Sequence, residues 1–199
     1  TDMKIGWWVD KSLEIINFDP SILKIGKNEI ILETDYNENH PGFEIIYLLG
    51  NFGVEIKENG LTITSLPCFV KIGDLTEQKL PFYSGNFGYL TEIEKFELKN
   101  NQRLFLKIPE FRGVGVRIFI DGKKVGVLPW EPYEIDITYF IKEKSSLIIE
   151  VLGHRRNSHG PLHYSEKWPV WTGPGQFISE GKEWVNTYQI VPFGLIKNP

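Results

Sequence analysis

The stretch whose reading decides the fold is Val114-Gly115-Val116-Arg117-Ile118-Phe119-Ile120-Asp121-Gly122-Lys123-Lys124-Val125-Gly126. Side chains of an extended chain alternate between two faces, so Val114, Val116, Ile118 and Ile120 share one face and Gly115, Arg117, Phe119 and Asp121 the other. Asp121-Gly122 then separates Arg117–Ile120 from Lys123–Val127. Asp and Gly tolerate the positive φ angles of a two-residue hairpin turn, so the stretch predicts two adjacent antiparallel strands.

The same period of two spreads outward. Leu104, Leu106 and Ile108 alternate with Phe105 and Lys107, and Leu147, Ile149 and Val151 with Ile148, Glu150 and Leu152. Asn59-Gly60 marks a second hairpin between Val54–Lys57 and Leu61–Thr64, and Gly26-Lys27-Asn28 leads into an expected strand at Glu29–Thr34. Ile45 to Leu49 is an apolar run of strand length. Only Asp74-Leu75-Thr76 and Asp136-Ile137-Thr138, the latter running to Lys142, invite a helical turn, because Asp and Thr oxygens accept bonds from free backbone N–H groups. Strands every ten or so residues with almost no helical periodicity predict an all-β fold, an antiparallel β-sandwich, and not a βαβ fold.

A chain of 199 residues suits one large sandwich with a sizeable core. Hydrophobic residues at 41% and charged residues at 24% place it among ordinary globular proteins. No apolar run reaches the roughly 18 residues of a membrane helix, and no basic-then-apolar leader opens the chain, which leaves the compartment open. A net charge of −4 and the lack of any nucleic-acid-binding motif argue against a nucleic-acid partner. Cys68 stands alone, so neither an internal disulfide nor a cysteine zinc site can form, and it is expected as a small buried hydrophobe.

Regularity fades after Leu152. Residues 153–184 are rich in Gly, Pro, His and Trp, and segments of this length in compact domains often carry function or meet a partner. Thr187–Val191 is a further strand candidate before Pro192-Phe193-Gly194. The chain thus divides into an N-terminal segment, 1–24, joining or leading into the sandwich, and a sandwich domain, 25–199. The first dozen residues read as the tail of a preceding segment, with Trp7-Trp8 at an interface or at a core edge.

Several stretches resemble the sugar-binding, galactose-binding-like jelly-roll domain of glycoside hydrolase family two and its relatives. They are Leu80-Pro81-Phe82-Tyr83-Ser84-Gly85-Asn86-Phe87-Gly88-Tyr89, the Val114–Gly126 hairpin, Trp130-Glu131-Pro132-Tyr133-Glu134-Ile135-Asp136-Ile137-Thr138, and the strand from Ser146 to Val151. The tail, Asn157 to His163, Gly173-Pro174, Phe177, Trp184, Tyr188 and Val191-Pro192-Phe193-Gly194-Leu195, is similar to the C-terminal ends of large glycosidase-like proteins in which this domain follows a catalytic barrel. The resemblance covers roughly residues 25 to 195. It implies a jelly-roll sandwich that binds sugar, shapes a neighbouring active site, or holds a larger enzyme together. It also implies that Trp130 packs inward, and it raises a structural calcium held by loop oxygens as the one cofactor to consider. No other cofactor is expected.

Candidate chemistry concentrates in the irregular segment. Arg155, Arg156, Asn157, His159 and His163 offer groups that match hydroxyl and carboxylate oxygens. Arg and His also commonly anchor a long loop to its own carbonyls, and that is the first reading for these residues. Trp168 and Trp171, on Trp168-Pro169-Val170-Trp171, could stack on a sugar face or cover one end of the core. His154, His159 and His163 cluster in sequence, but Gly160-Pro161 forbids the helix that an i, i+4 zinc pair needs. Asp35-Tyr36-Asn37-Glu38-Asn39 starts like an EF-hand and fails at His40 and Ile46, so it reads as an Asn-rich turn before Pro41-Gly42. Glu110, Glu131, Glu134, Asp136 and Glu166 lie near loops without a spacing that requires a catalytic pair. The expected function is therefore a non-catalytic carbohydrate-binding or accessory domain of a glycoside-hydrolase-like protein. Two alternatives stand beside it: a structural domain docking on a catalytic barrel or second subunit, and a self-sufficient glycosidase.

Overall fold

A computed structural model describes residues 4–40, 45–58 and 60–199. Chain contacts divide the molecule into two units, Thr1–Leu48 and Leu49–Pro199; the sequence reading draws its line after Lys24.

In the first unit β1 (Lys4–Trp8) and β2 (Asp10–Ile16) form an antiparallel hairpin. The sequence reading took these residues for a tail because their turn carries no Asn-Gly signal. Val9 adopts φ 63° there, and Asp10 Oδ1 accepts bonds from Ser12 N (2.9 Å) and Ser12 Oγ (2.8 Å). The expected strand at Glu29–Thr34 does not form, and Ile30, Ile31 and Leu32 stay exposed. Asn28 instead closes a local turn: its Oδ1 accepts from Lys24 N, and its Nδ2 donates to Lys24 O, both at 2.8 Å. An apolar run without a neighbouring ladder leaves the backbone groups unpaired, so the run alone makes no strand. Ile45–Leu49 forms none either. At the Asn-rich turn Asn37 Oδ1 accepts from Asn39 N at 2.9 Å; Pro41-Gly42 lies outside the described residues.

The second unit is an all-β sandwich of antiparallel sheets. In chain order its elements are β3 (Gly53–Lys57), β4 (Gly60–Thr64), β5 (Phe87–Glu94), β6 (Phe105–Lys107), β7 (Phe111–Arg112), β8 (Gly115–Ile120), β9 (Lys123–Leu128), β10 (Glu134–Asp136), β11 (Lys144–Leu152), a one-turn helix α1 (Arg156–His159) and β12 (Gly194–Leu195). The central sheet runs β5-β11-β8-β9, and β3 pairs with β4, β6 with β10 and β7 with β12.

The deciding stretch forms the expected hairpin. Asp121 and Gly122 both take positive φ, 49° and 74°, the signature of a turn whose twist matches that of the strands. Val116, Ile118 and Ile120 are buried, and they face Val151, Ile149 and Leu147 of β11 across the ladder. Leu106 and Ile108, Ile137, Phe193 and Leu195 close the same core from the smaller sheets. Each such side chain stabilises by about 1.5–3 kcal/mol on burial. Val114, expected on the inner face, lies just before β8 and is exposed. At the second hairpin Lys57 pairs with Gly60, whose φ is 124°, and Asn59 lies outside the described residues.

Both expected turns form. Asp74 Oδ1 caps a 3-10 turn at Leu75–Glu77 by accepting from Thr76 N at 2.9 Å. Asp136 Oδ1 accepts from Thr138 N at 3.0 Å, and Phe140 N donates to Ile137 O.

Three further expectations are corrected. Cys68 is exposed, because it lies on the irregular stretch after β4 and no strand carries it inward. Trp130 is 74% exposed; Tyr133 takes the inward place instead, edge-on to Phe111 at 4.8 Å between ring centres. Thr187–Val191 is not a strand. Val191 finds its partner in a side chain: Asn157 Oδ1 accepts from Val191 N (2.9 Å) and Asn157 Nδ2 donates to Val191 O (2.8 Å). The tail beyond it belongs to the core. Phe193 O accepts from Leu75 N and Leu195 O from Gly73 N, each at 2.8 Å, and Leu195 N donates to Tyr89 Oη at 3.0 Å. Gly194 has φ 120°, and a Cβ there would strike Tyr89 Oη, so only glycine lets the tail approach β5 this closely. Among the described residues no helix is long and apolar enough to cross a membrane.

Candidate functional site

Leaving β11, the chain passes through Gly153, whose N–H donates to Asn86 Oδ1 at 3.2 Å. A Cβ on Gly153 would collide with the backbone oxygens of Ser84 and Gly85. This close crossing turns the chain away from the sheet, and α1 follows at once. The turn places His154 and Arg156 beside β7 and the residues after it, and together they line a groove of about 540 Å³. Its other lining residues include Pro109, Glu110, Phe111, Arg112, Glu131, Tyr133, Trp168 and Pro192. Apolar walls with a few polar groups are the usual make-up of a small-molecule site.

The polar groups of this groove are unevenly satisfied. Glu110 is held by Arg112 (3.0 Å) and Lys197 (2.7 Å). Its hydrogen bond to Lys197 is the main reason its carboxyl group is held below the usual carboxylate range. Arg156 donates from Nη2 to Lys167 O at 3.2 Å, while Nε and Nη1 are buried with no protein acceptor. Both ring nitrogens of His154 are likewise buried without a protein partner, its ring lying edge-on to Phe193 at 5.6 Å. Burial alone pulls the Arg156 guanidinium down from its ordinary value. Buried donors without acceptors typically cost about 1–3 kcal/mol each, so polar atoms of this kind grouped beneath one groove mark it out from the rest of the surface.

The sequence-derived residues separate here. Arg156 and Trp168 line the groove, with Trp168 61% exposed. Trp171 is 74% exposed and lies outside the lining. Arg155 is exposed, and its carbonyl accepts from His159 N at 2.8 Å. His159 is half-buried, with Nδ1 2.7 Å from Ser158 Oγ; burial first, and then the Arg155 charge, holds its pKa below the ordinary histidine value. Asn157 is fully buried and its amide is committed to Val191. His163 Nδ1 sits 3.0 Å from Val185 O, and its ring stacks on Trp184 at 6.0 Å. Asn157 and His163 thus hydrogen-bond the segment's own backbone. Among the described residues no group of three or more His, Cys, Asp or Glu side chains is gathered to hold a metal ion.

No family model matches this chain. No curated protein matches it. A solved structure of a rhamnosidase from Novosphingobium sp. PP1Y is similar at 17% identity and a TM-score of 0.44 over 73% of this chain. The chain spans 14% of that protein's length.

Several groove residues escaped the sequence reading. Phe111 and Arg112 come from β7, and nothing in their local pattern sets them apart; Tyr133, on the approach to β10, stands out in the sequence only as one aromatic among four candidates. Glu110 and Glu131 were noted as carboxylates, yet no spacing joins residues that only the pairing of β7 with β12 and the turn at Gly153 bring together. His154 was noted for its neighbours His159 and His163, but its groove position depends on the residue before it.

Proposed function

We propose that this chain is a non-catalytic carbohydrate-binding or accessory domain of a glycoside-hydrolase-like protein, and that saccharide lies in the groove beside Trp168. The observation that carries this reading is an indole, 61% exposed, on a groove that also contains Arg156 and His154. The apolar face of a sugar ring stacks on an aromatic face, and polar groups around it fix the orientation. Hydrolysis within this chain finds less support. A glycosidase needs one carboxyl group kept protonated as the acid, and the contacts with Lys197 and Arg112, which hold Glu110 below the usual carboxylate range, disfavour that role for Glu110.

The test is titration of the whole chain with a panel of oligosaccharides, followed by tryptophan fluorescence and calorimetry. Trp168→Ala is expected to weaken binding about tenfold, the worth of one good stacking contact. Trp171→Ala and Trp130→Ala, outside the groove, are expected to change it less. No saturable response across the panel overturns the reading. That result would favour the second reading, docking on a catalytic barrel or another subunit, for which the exposed Trp130, Tyr139, Val170 and Trp171 are the supporting observation.

A further inference from the structure

The groove carries a charge that the fold does not balance. Glu110 is neutralised twice over, by Arg112 and Lys197. Glu131 is exposed, where water and salt screen it. Arg156 is half-buried and, among the described residues, pairs with no carboxylate: its one side-chain hydrogen bond goes to the carbonyl of Lys167. Counting Lys197, three cations stand here against two carboxylates, and the unmatched one is the least screened. A guanidinium removed from water without an anion is expensive, and evolution seldom leaves one so placed without a counter-charge. In this groove the missing counter-charge can come from a ligand.

We propose that the groove selects an anionic saccharide, one whose ring carries a carboxylate, with Trp168 stacking on the ring and Arg156 supplying the positive charge that the carboxylate faces. This rests on the carbohydrate-binding reading and names its ligand class. Arg pairs with carboxylates more strongly than with neutral hydroxyls, because the acceptor is ionised.

The experiment compares three probes against the whole chain: an oligomer of hexuronic acid, the same oligomer with its carboxyl groups methyl-esterified, and a neutral hexose oligomer of equal length. The acidic oligomer is expected to bind at least about tenfold more tightly than its ester, and the advantage should shrink as salt rises from about 0.01 to 0.15 M. Arg156→Gln is expected to erase most of the difference between acid and ester, the acid losing more affinity than the ester, and Arg156→Lys to keep part of it. Equal binding of acid and ester by the parent chain overturns the acidic preference but leaves the carbohydrate reading standing. Binding by none of the three overturns both. Should Arg156→Gln lose its near-ultraviolet circular dichroism, Arg156→Lys and the salt dependence of the parent chain decide the question in its place.

Discussion

The β8–β11 ladder and the segment from Gly153 to Phe193 are both fixed parts of one sandwich, but different bonds hold them. In the ladder, six consecutive residue pairs from Leu147↔Ile120 to Leu152↔Gly115 stand in antiparallel register and are bonded through the backbone at alternate pairs. Apart from the Arg117–Glu150 ion pair, its side chains are left to pack. In the later segment, side chains supply many of the bonds: Asn157 to Val191, His163 to Val185, Arg156 to Lys167, Gln176 to Gly173. A ladder spreads its stability over many equivalent contacts, whereas the segment depends on a few irreplaceable residues. The second kind of construction leaves loops and indoles at the surface, and the groove forms where it meets β7.

The largest effect should come from the ladder's packing. Ile118→Ala removes a fully buried side chain at the centre of the sheet and is expected to cost about 3 kcal/mol, within the usual range for this deletion. Urea denaturation would show a lower midpoint with an unchanged slope. A loss under about 1 kcal/mol would mean that the two layers do not close over Ile118, and the contrast between the regions would dissolve.

Asn157→Ala should cost about 2 kcal/mol, since it strands the N–H and C=O of fully buried Val191 at once. Its signature should be local. Hydrogen exchange is expected to quicken at residues 185–192 while the amides of β8 and β11 keep their protection. If both regions loosen together, the segment and the sheet form one cooperative unit and the distinction between them is one of geometry only.

What the sequence made legible follows the same divide. Period two, Asp121-Gly122 and the capping aspartates Asp74 and Asp136 are local signals, and each corresponds to a formed element. Glu29–Thr34 carries a local signal too, but a strand also needs a partner, and sequence does not say which such runs will find one. Thr187–Val191 illustrates the converse: Val191 is bonded at both N–H and C=O by one amide 34 residues away, and Gln189 N donates to Leu162 O, pairings that no periodicity announces. Trp168 and Arg156 were legible as residue types suited to sugar. Their meeting with Phe111, Glu131 and Tyr133 was not, because it depends on the tertiary crossing at Gly153.

The smallest expected effect separates the regions by pH. His159 is held below its ordinary pKa by burial and by Arg155, so between the folded and unfolded values the unfolded chain binds more protons. Stability of the segment around α1 should therefore be full above the ordinary histidine value of about 6.5 and decline as pH falls toward 5. The sandwich responds in a different window. Asp121 and Asp136 are held below the carboxylate range, chiefly by the hydrogen bonds from Lys142 and Thr138 respectively. The stability they add is present above about pH 4 and is lost only as pH falls through their lowered values. Hydrogen exchange at pH 7.5, 6 and 5 should show residues 155–163 loosening while β8 and β11 hold, and His159→Gln should flatten that response. Identical profiles for the parent chain and His159→Gln over this range would mean that the imidazole is solvated in solution and that α1 is not packed as described. Asp121→Asn should lower stability evenly from pH 7.5 to 5 without changing its pH dependence there, and flatten only the acid limb, which keeps the two titrations distinct.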